Sequence, residues 1–213
     1  MIFMMFRPAA TREVAKGLYA VRSGFVNFYA LKTSGGVLLV DTGMNASFAA
    51  VGLKKCGLAP SDVCAVFLTH SDYDHAGGLK AFPNAAVYLL KDEEPLITGA
   101  KARRGFMHNR RIPGCVFLSD GQAVSVGDAT VEAIHTPGHT IGSASYRING
   151  NILATGDLMR LPVSGKPLPF SVLMNMDHKK DIKSLDDMRG AIDDAEYVLT
   201  AHTGYIKHDK NAG

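Results

Sequence analysis

Residues 69–78 read Thr-His-Ser-Asp-Tyr-Asp-His-Ala-Gly-Gly, which puts four side chains able to bind a metal, His70, Asp72, Asp74 and His75, within six positions. Imidazole and carboxylate are the donors that hold divalent ions, and a loop this dense in both is poorly explained as a solvated surface turn. Three further segments offer the same donors: Thr136-Pro137-Gly138-His139-Thr140, Thr155-Gly156-Asp157 and Ala201-His202-Thr203-Gly204. Each follows a short apolar run and each carries a glycine, which permits a tight turn. A set of this kind suits metal-assisted attack of water on an electrophilic centre.

Seven donors spread over more than 130 residues converge only if regular elements deliver them to one edge. The spacing predicts strands over 14–21, 25–32 and 36–40, a helix over 47–56, a buried strand over 63–68 and a short strand over 86–90. A charged helix is expected over 91–104, with Lys101, Arg103, Arg104, Arg110 and Arg111 on its solvated face and following loop. The second half predicts strands over 116–118, 123–126, 129–135, 143–148 and 151–154, a helix over 179–192 and a last strand over 197–200. Ligand-bearing turns then stand at the carboxyl ends of strands, where open sheets present their sites. In an extended stretch, positions 70, 72 and 74 would face one side, and Asp74 could cap a helix starting at His75. Residues 161–178, with three prolines and no clear period, are expected to form a loop that covers something.

These motifs resemble the metallo-β-lactamase superfamily, whose pattern is HxHxDH followed by a distant His, an Asp and a last His, with an Asp-Thr-Gly turn upstream (here Asp41-Thr42-Gly43). The resemblance implies an α/β fold, a four-layer αββα sandwich formed by residues 1–213 as a single domain. It implies a dinuclear centre in which His70, Asp72 and His139 hold one ion, Asp74, His75 and His202 the other, and Asp157 bridges. Asp41 would orient a ligand imidazole. The glyoxalase II-like branch fits best, and the implied chemistry is hydrolysis of a small ester, thioester, lactone or amide by a metal-bound hydroxide. Asp74 would be the catalytic residue that orients the nucleophile and accepts its proton. Tyr73, Arg160 and His178 are candidates for substrate contact, against the plainer readings of a packing tyrosine, a surface arginine and a solvated loop histidine.

One position departs from the pattern. Asp72 stands where the family usually has histidine, so two divalent ions against three carboxylates leave one positive charge instead of two. A less positive site activates water less, and carboxylate favours harder metals. Two divalent ions are expected, zinc first, with iron or manganese admitted by Asp72. The alternatives are an iron-dependent oxidoreductase similar to the persulfide dioxygenases of the same fold, and a non-catalytic metal-binding module.

Composition bounds the rest. The chain has 213 residues, 46% hydrophobic and 20% charged, with a net charge of +3. That balance is compatible with anionic small molecules but too weak to argue for nucleic acid. Three cysteines, Cys56, Cys64 and Cys115, form no framework and suggest a reducing compartment. The apolar opening at 1–6 is too short for a signal-peptide core, and no stretch approaches a membrane span. A cytoplasmic protein acting on a small molecule, without nucleic-acid or membrane partners, is the expectation; the oligomeric state is open.

Overall fold

The computed structural model describes residues 6–163 and 166–209; the apolar opening at 1–5 and positions 164 and 165 of the proline-rich segment lie outside them. A seven-stranded sheet comes first, in the order β1 (Arg12–Ala15), β2 (Leu18–Ser23), β3 (Val26–Thr33), β4 (Gly36–Val40), β5 (Val63–Phe67), β6 (Ala86–Leu90) and β7 (Val116–Leu118). β1–β4 form an antiparallel meander, and β4–β7 run parallel. The parallel strands need crossovers. α1 (Ala46–Lys55) joins β4 to β5, α2 (Tyr73–Ala76) lies between β5 and β6, and α3 (Glu94–Ile97) follows β6.

The second sheet has β8 (Ala123–Val126), β9 (Ala129–His135), β10 (Ala144–Ile148), β11 (Ile152–Ala154), β14 (Tyr197–Thr200) and β15 (Gly204–Lys207). β11 and β14 pair in parallel across α4 (His178–Asp187) and α5 (Arg189–Asp194). A small hairpin of β12 (Met159–Arg160) and β13 (Leu168–Pro169) stands apart from both sheets.

Alternation along the strands builds three apolar layers. Leu38, Val40, Ala65 and Phe67 point between the sheets, where they meet Val131, Ala133, Tyr146 and Leu199. Their neighbours Leu39, Val66 and Leu68 point outward onto Ala49 and Leu53 of α1. Leu153 and Val198 of the second sheet pack outward on Leu185, Met188 and Ile192. The result is the α/β/β/α order that the family resemblance implies.

Several expectations need correction. The strand expected at 14–21 is a hairpin, because Gly17 at φ 76° turns the chain and Ala15 pairs with Leu18. The helix expected over 91–104 stops at Ile97, and Gly99 at φ 80° leads into irregular chain. The helix expected over 179–192 is two helices meeting at Met188. β14 is not the last strand, since β15 turns back on it at Gly204. Among the described residues no helix is long and apolar enough to cross a membrane.

Candidate metal centre

His70, Asp72, Asp74 and His75 leave the end of β5 together, but not by strand alternation. The chain is extended only to Asp72, which occupies the N-cap position of α2, and Asp74 and His75 are carried round by the first turn of that helix. The expected cap at Asp74 is therefore wrong by two positions. Asp72 makes no capping hydrogen bond, because its carboxylate is engaged elsewhere. α2 lies so close to the end of β4 that a Cβ on Gly78 would fall 2.1 Å from the Thr42 carbonyl, which explains the paired glycines.

The second sheet supplies the rest. His139 sits in the loop between β9 and β10, held by Met176 N–H donating to its carbonyl. Asp157 follows β11, with Gly156 at φ 52° packed on the Thr69 side chain. His202 follows β14. All four imidazoles and Asp157 are buried, while Asp72 and Asp74 keep about a fifth of their side chains exposed.

Asp157 is central. Its Oδ2 lies 3.4 Å from His139 Nε2 and 3.3 Å from His202 Nε2, and its Oδ1 lies 3.5 Å from His75 Nε2. Asp72 Oδ2 is 3.6 Å from His70 Nε2 and 3.2 Å from His139 Nε2, while Asp74 Oδ2 is 3.4 Å from His202 Nε2. Three donor triplets result: His70–Asp72–His139, His70–His75–Asp157 and Asp74–His75–His202.

The opposite nitrogen of each ring is occupied. Nδ1 of His75 meets Asp41 Oδ2 at 2.9 Å, that of His70 meets Thr69 Oγ1 at 3.0 Å, that of His139 meets Asn175 Oδ1 at 3.1 Å, and that of His202 meets the Phe25 carbonyl at 3.0 Å. Partners on Nδ1 favour the tautomer that turns an Nε2 lone pair into the cluster. Nε2 of His70, His75 and His202 and Oδ1 of Asp157 are buried without a hydrogen-bond partner. Orphaned donors packed at these distances are what a divalent cation satisfies. Asp41, expected to orient an imidazole, contacts His75 and accepts from the Thr69 N–H at 2.8 Å, from a backbone at φ 61°.

Charge follows the same geometry. Burial pushes the Asp157 carboxyl up, but the imidazoles of His202, His75 and His139 outweigh it and hold it well below the usual range. Burial likewise opposes a proton on His75, yet Asp157, Asp41 and Asp74 raise its pKa well above the ordinary value. His202 is raised too, against burial, chiefly by Asp157. His70 is lowered by burial and by repulsion from His75.

Sequence reasoning missed several participants. Arg103, expected on a solvated face, is buried: its Nε stands 2.8 and 3.1 Å from the two Asp72 oxygens and its Nη2 2.9 Å from Asp72 Oδ2. The other four cations of that cluster are exposed, as expected. Asn109 Nδ2 also donates to Asp72, at 2.9 Å. Glu93, fully buried, accepts from Ser71 N–H and Oγ on one oxygen and from Thr140 Oγ1 and Gly142 N–H on the other. It thus ties the His70 segment to the His139 loop. Its helical-looking context offered no sign of this, whereas the carboxylate at 72 is a signal that a cation is needed nearby.

The substrate candidates are scattered. Tyr73 is half exposed at the mouth, with the Arg110 guanidinium 5.0 Å from its ring centre. Arg160 lies in the β12–β13 hairpin with Nε 3.4 Å from the Pro169 carbonyl. His178 is the first residue of α4 instead of a loop residue, and its Nδ1 meets Asn175 Nδ2 at 3.0 Å. The proline-rich segment delivers Phe170, which is buried against His139 and His202 with ring centres 5.2 and 5.4 Å apart.

Residues 21–202 match the family described as the metallo-beta-lactamase superfamily, and the chain belongs to it. It is 29% identical over 165 residues to a protein of Methanocaldococcus jannaschii named a probable metallo-hydrolase, covering 75% of this chain and 66% of that one. It is 32% identical over 113 residues to a hydroxyacylglutathione hydrolase of Maricaulis maris, covering 51% and 40%. The matches thus span less than two thirds of these relatives' lengths. Among solved structures, a B3 metallo-beta-lactamase with an active-site glutamic acid superposes with a TM-score of 0.73 at 21% identity, covering 96% of this chain and 85% of that one. A metallo-beta-lactamase family protein of Thermus thermophilus gives 0.69 at 23%, covering 91% and 76%. At these identities the likeness speaks for the fold.

Proposed function

We propose that this chain is a metal-dependent hydrolase of small carbonyl substrates, an ester, thioester, lactone or amide, nearest in kind to the glyoxalase II-like branch. The observation that carries it is the group of buried, unpartnered donor atoms on His70, His75, His202 and Asp157. The partial likeness to a hydroxyacylglutathione hydrolase supports a thioester in particular. A divalent cation bound there supplies the polarising charge that activates water and a carbonyl group. Zinc suits the imidazole-rich donors, and Asp72 and Asp74 admit iron or manganese. The triplets offer places for up to two ions, and Asp157, close to His75, His139 and His202, would be within reach of either.

The chain's own residues do the remaining work. Asp74, partly exposed and 3.4 Å from His202 Nε2, is placed to hold the attacking water and take its proton. Tyr73, Met107, His108 and Met174 line a cleft of about 330 Å³ together with Asp72 and Asp74, wide enough for a small molecule. Phe170 screens His139 and His202 from water, a covering role for the 161–178 segment. Unpaired Cys56, Cys64 and Cys115 support a reducing, cytoplasmic setting.

The test is elemental analysis of protein purified without added metal, followed by a panel of thioesters, lactones, esters and amides. Bound zinc with turnover that Asp157→Ala removes is expected. Predominantly iron, with oxygen consumed during turnover, would overturn hydrolysis in favour of oxidoreductase chemistry.

A further inference from the structure

Arg103 does more than neutralise a carboxylate. Its Nη2 lies 2.9 Å from Asp72 Oδ2 and 3.1 Å from His139 Nε2, two of the three donors in the His70–Asp72–His139 triplet. It is fixed there from two sides: Nε grips both Asp72 oxygens, and Nη2 is 2.9 Å from the Met174 carbonyl. Asn175 Oδ1, 3.1 Å from His139 Nδ1, favours the tautomer with its proton there, and Nε2 then faces the guanidinium at 3.1 Å and Asp72 Oδ2 at 3.2 Å. Nη2 shares its two N–H bonds among Asp72 Oδ2, the Met174 carbonyl and His139 Nε2, and a divalent ion in that triplet would stand against a like charge.

The two halves of the cluster therefore differ. His139 Nε2 and both Asp72 oxygens have hydrogen-bond partners. On the other side His75 Nε2, His202 Nε2 and Asp157 Oδ1 are orphaned, and Asp74 completes that side. Within the Arg103 triplet only His70 Nε2 is orphaned, and Arg103 Nη1 is itself buried without a partner.

Building on the metal-dependent reading above, we propose that Arg103 is a resident cation standing in for a metal in the His70–Asp72–His139 triplet, so that the protein holds one ion tightly, on His75, Asp157, His202 and Asp74. Arginine suits the post: its charge is permanent and its planar fork matches a carboxylate in two-point contact. The guanidinium also restores the positive charge that a carboxylate at position 72 removes.

The experiment counts ions on the full chain. Metal-stripped wild type, Arg103→Met and Arg103→Lys are titrated with Zn²⁺ by calorimetry and analysed for zinc after gel filtration. Wild type and Arg103→Lys should each retain one ion. Arg103→Met should retain two, or bind the second at least tenfold more tightly than wild type does. Two ions of similar affinity in wild type would overturn the inference while leaving the metal-dependent function standing, as would an Arg103→Met titration that superposes on wild type. No retained zinc in any variant would overturn both. If Arg103→Met does not fold, by circular dichroism, the wild-type count decides alone.

Discussion

Each cluster imidazole is anchored through Nδ1, and the anchors are themselves held, so the donors are aimed before any ion arrives. Removing one anchor should loosen an ion without removing a ligand. Asp41→Asn is expected to weaken zinc binding by roughly 10–100-fold, read by competition with a chromophoric chelator. His139→Ala should lower activity far more than the retained zinc if Arg103 fills its half of the cluster; equal loss of both would mean His139 holds the tight ion. The titrating groups also set a pH signature for the metal-free protein. His75 and His202 have raised pKa values, so their contribution to stability is full below the ordinary histidine value of about 6.5 and fades as pH rises through the raised values. Asp72 and Asp157 are depressed, so theirs is present above the ordinary carboxylate value of about 3.9 and is lost as pH falls. With a chelator present, these four groups make melting decline above about pH 6.5 and below about pH 4, while the lowered His70 and the raised Asp181 flatten the maximum between. With zinc the upper decline should vanish, because the ion replaces the protons.

Elements deliver these groups through close backbone contacts that tolerate little change. Glu93 joins two loops through four buried hydrogen bonds, and Glu93→Ala strands the N–H groups of Ser71 and Gly142. A loss of about 3 kcal/mol is expected in urea unfolding, with partial rescue by Glu93→Gln. The strand-then-donor grammar was legible in the sequence because β5, β9, β11 and β14 are short apolar runs ending at His70, the His139 loop, Asp157 and His202. Local turns were less so: the split at Gly17 and the end of α3 at Ile97 rest on single glycines inside otherwise continuous patterns. Glu93 was illegible, and Arg103 legible only as the need for some cation near Asp72, for a different reason. A buried charge takes its meaning from a partner distant in sequence, 31 residues for Arg103 with Asp72 and up to 49 for Glu93 with Gly142, and periodicity carries no information at that range.

For the whole molecule, two sheets meet over a continuous apolar layer, and their carboxyl strand ends open at one rim. Truncating that layer, as in Phe67→Ala, should cost about 3–5 kcal/mol in denaturant unfolding. The rim is where the sheets part company in origin: His70, Asp74 and His75 belong to the first, His139, Asp157 and His202 to the second. A bound ion is thus a cross-link, joining halves of the chain that otherwise adhere through side-chain packing and a few hydrogen bonds, such as Ala144 N–H to the Thr69 carbonyl and those of Glu93. Like a clasp on a hinged case, it should govern how often that one side gapes. Amide exchange followed with and without zinc would show it: the turns after β5, β11 and β14 should gain protection on metal binding, while the β1–β2 hairpin and the β8–β9 turn, far from the clasp, should exchange at unchanged rates.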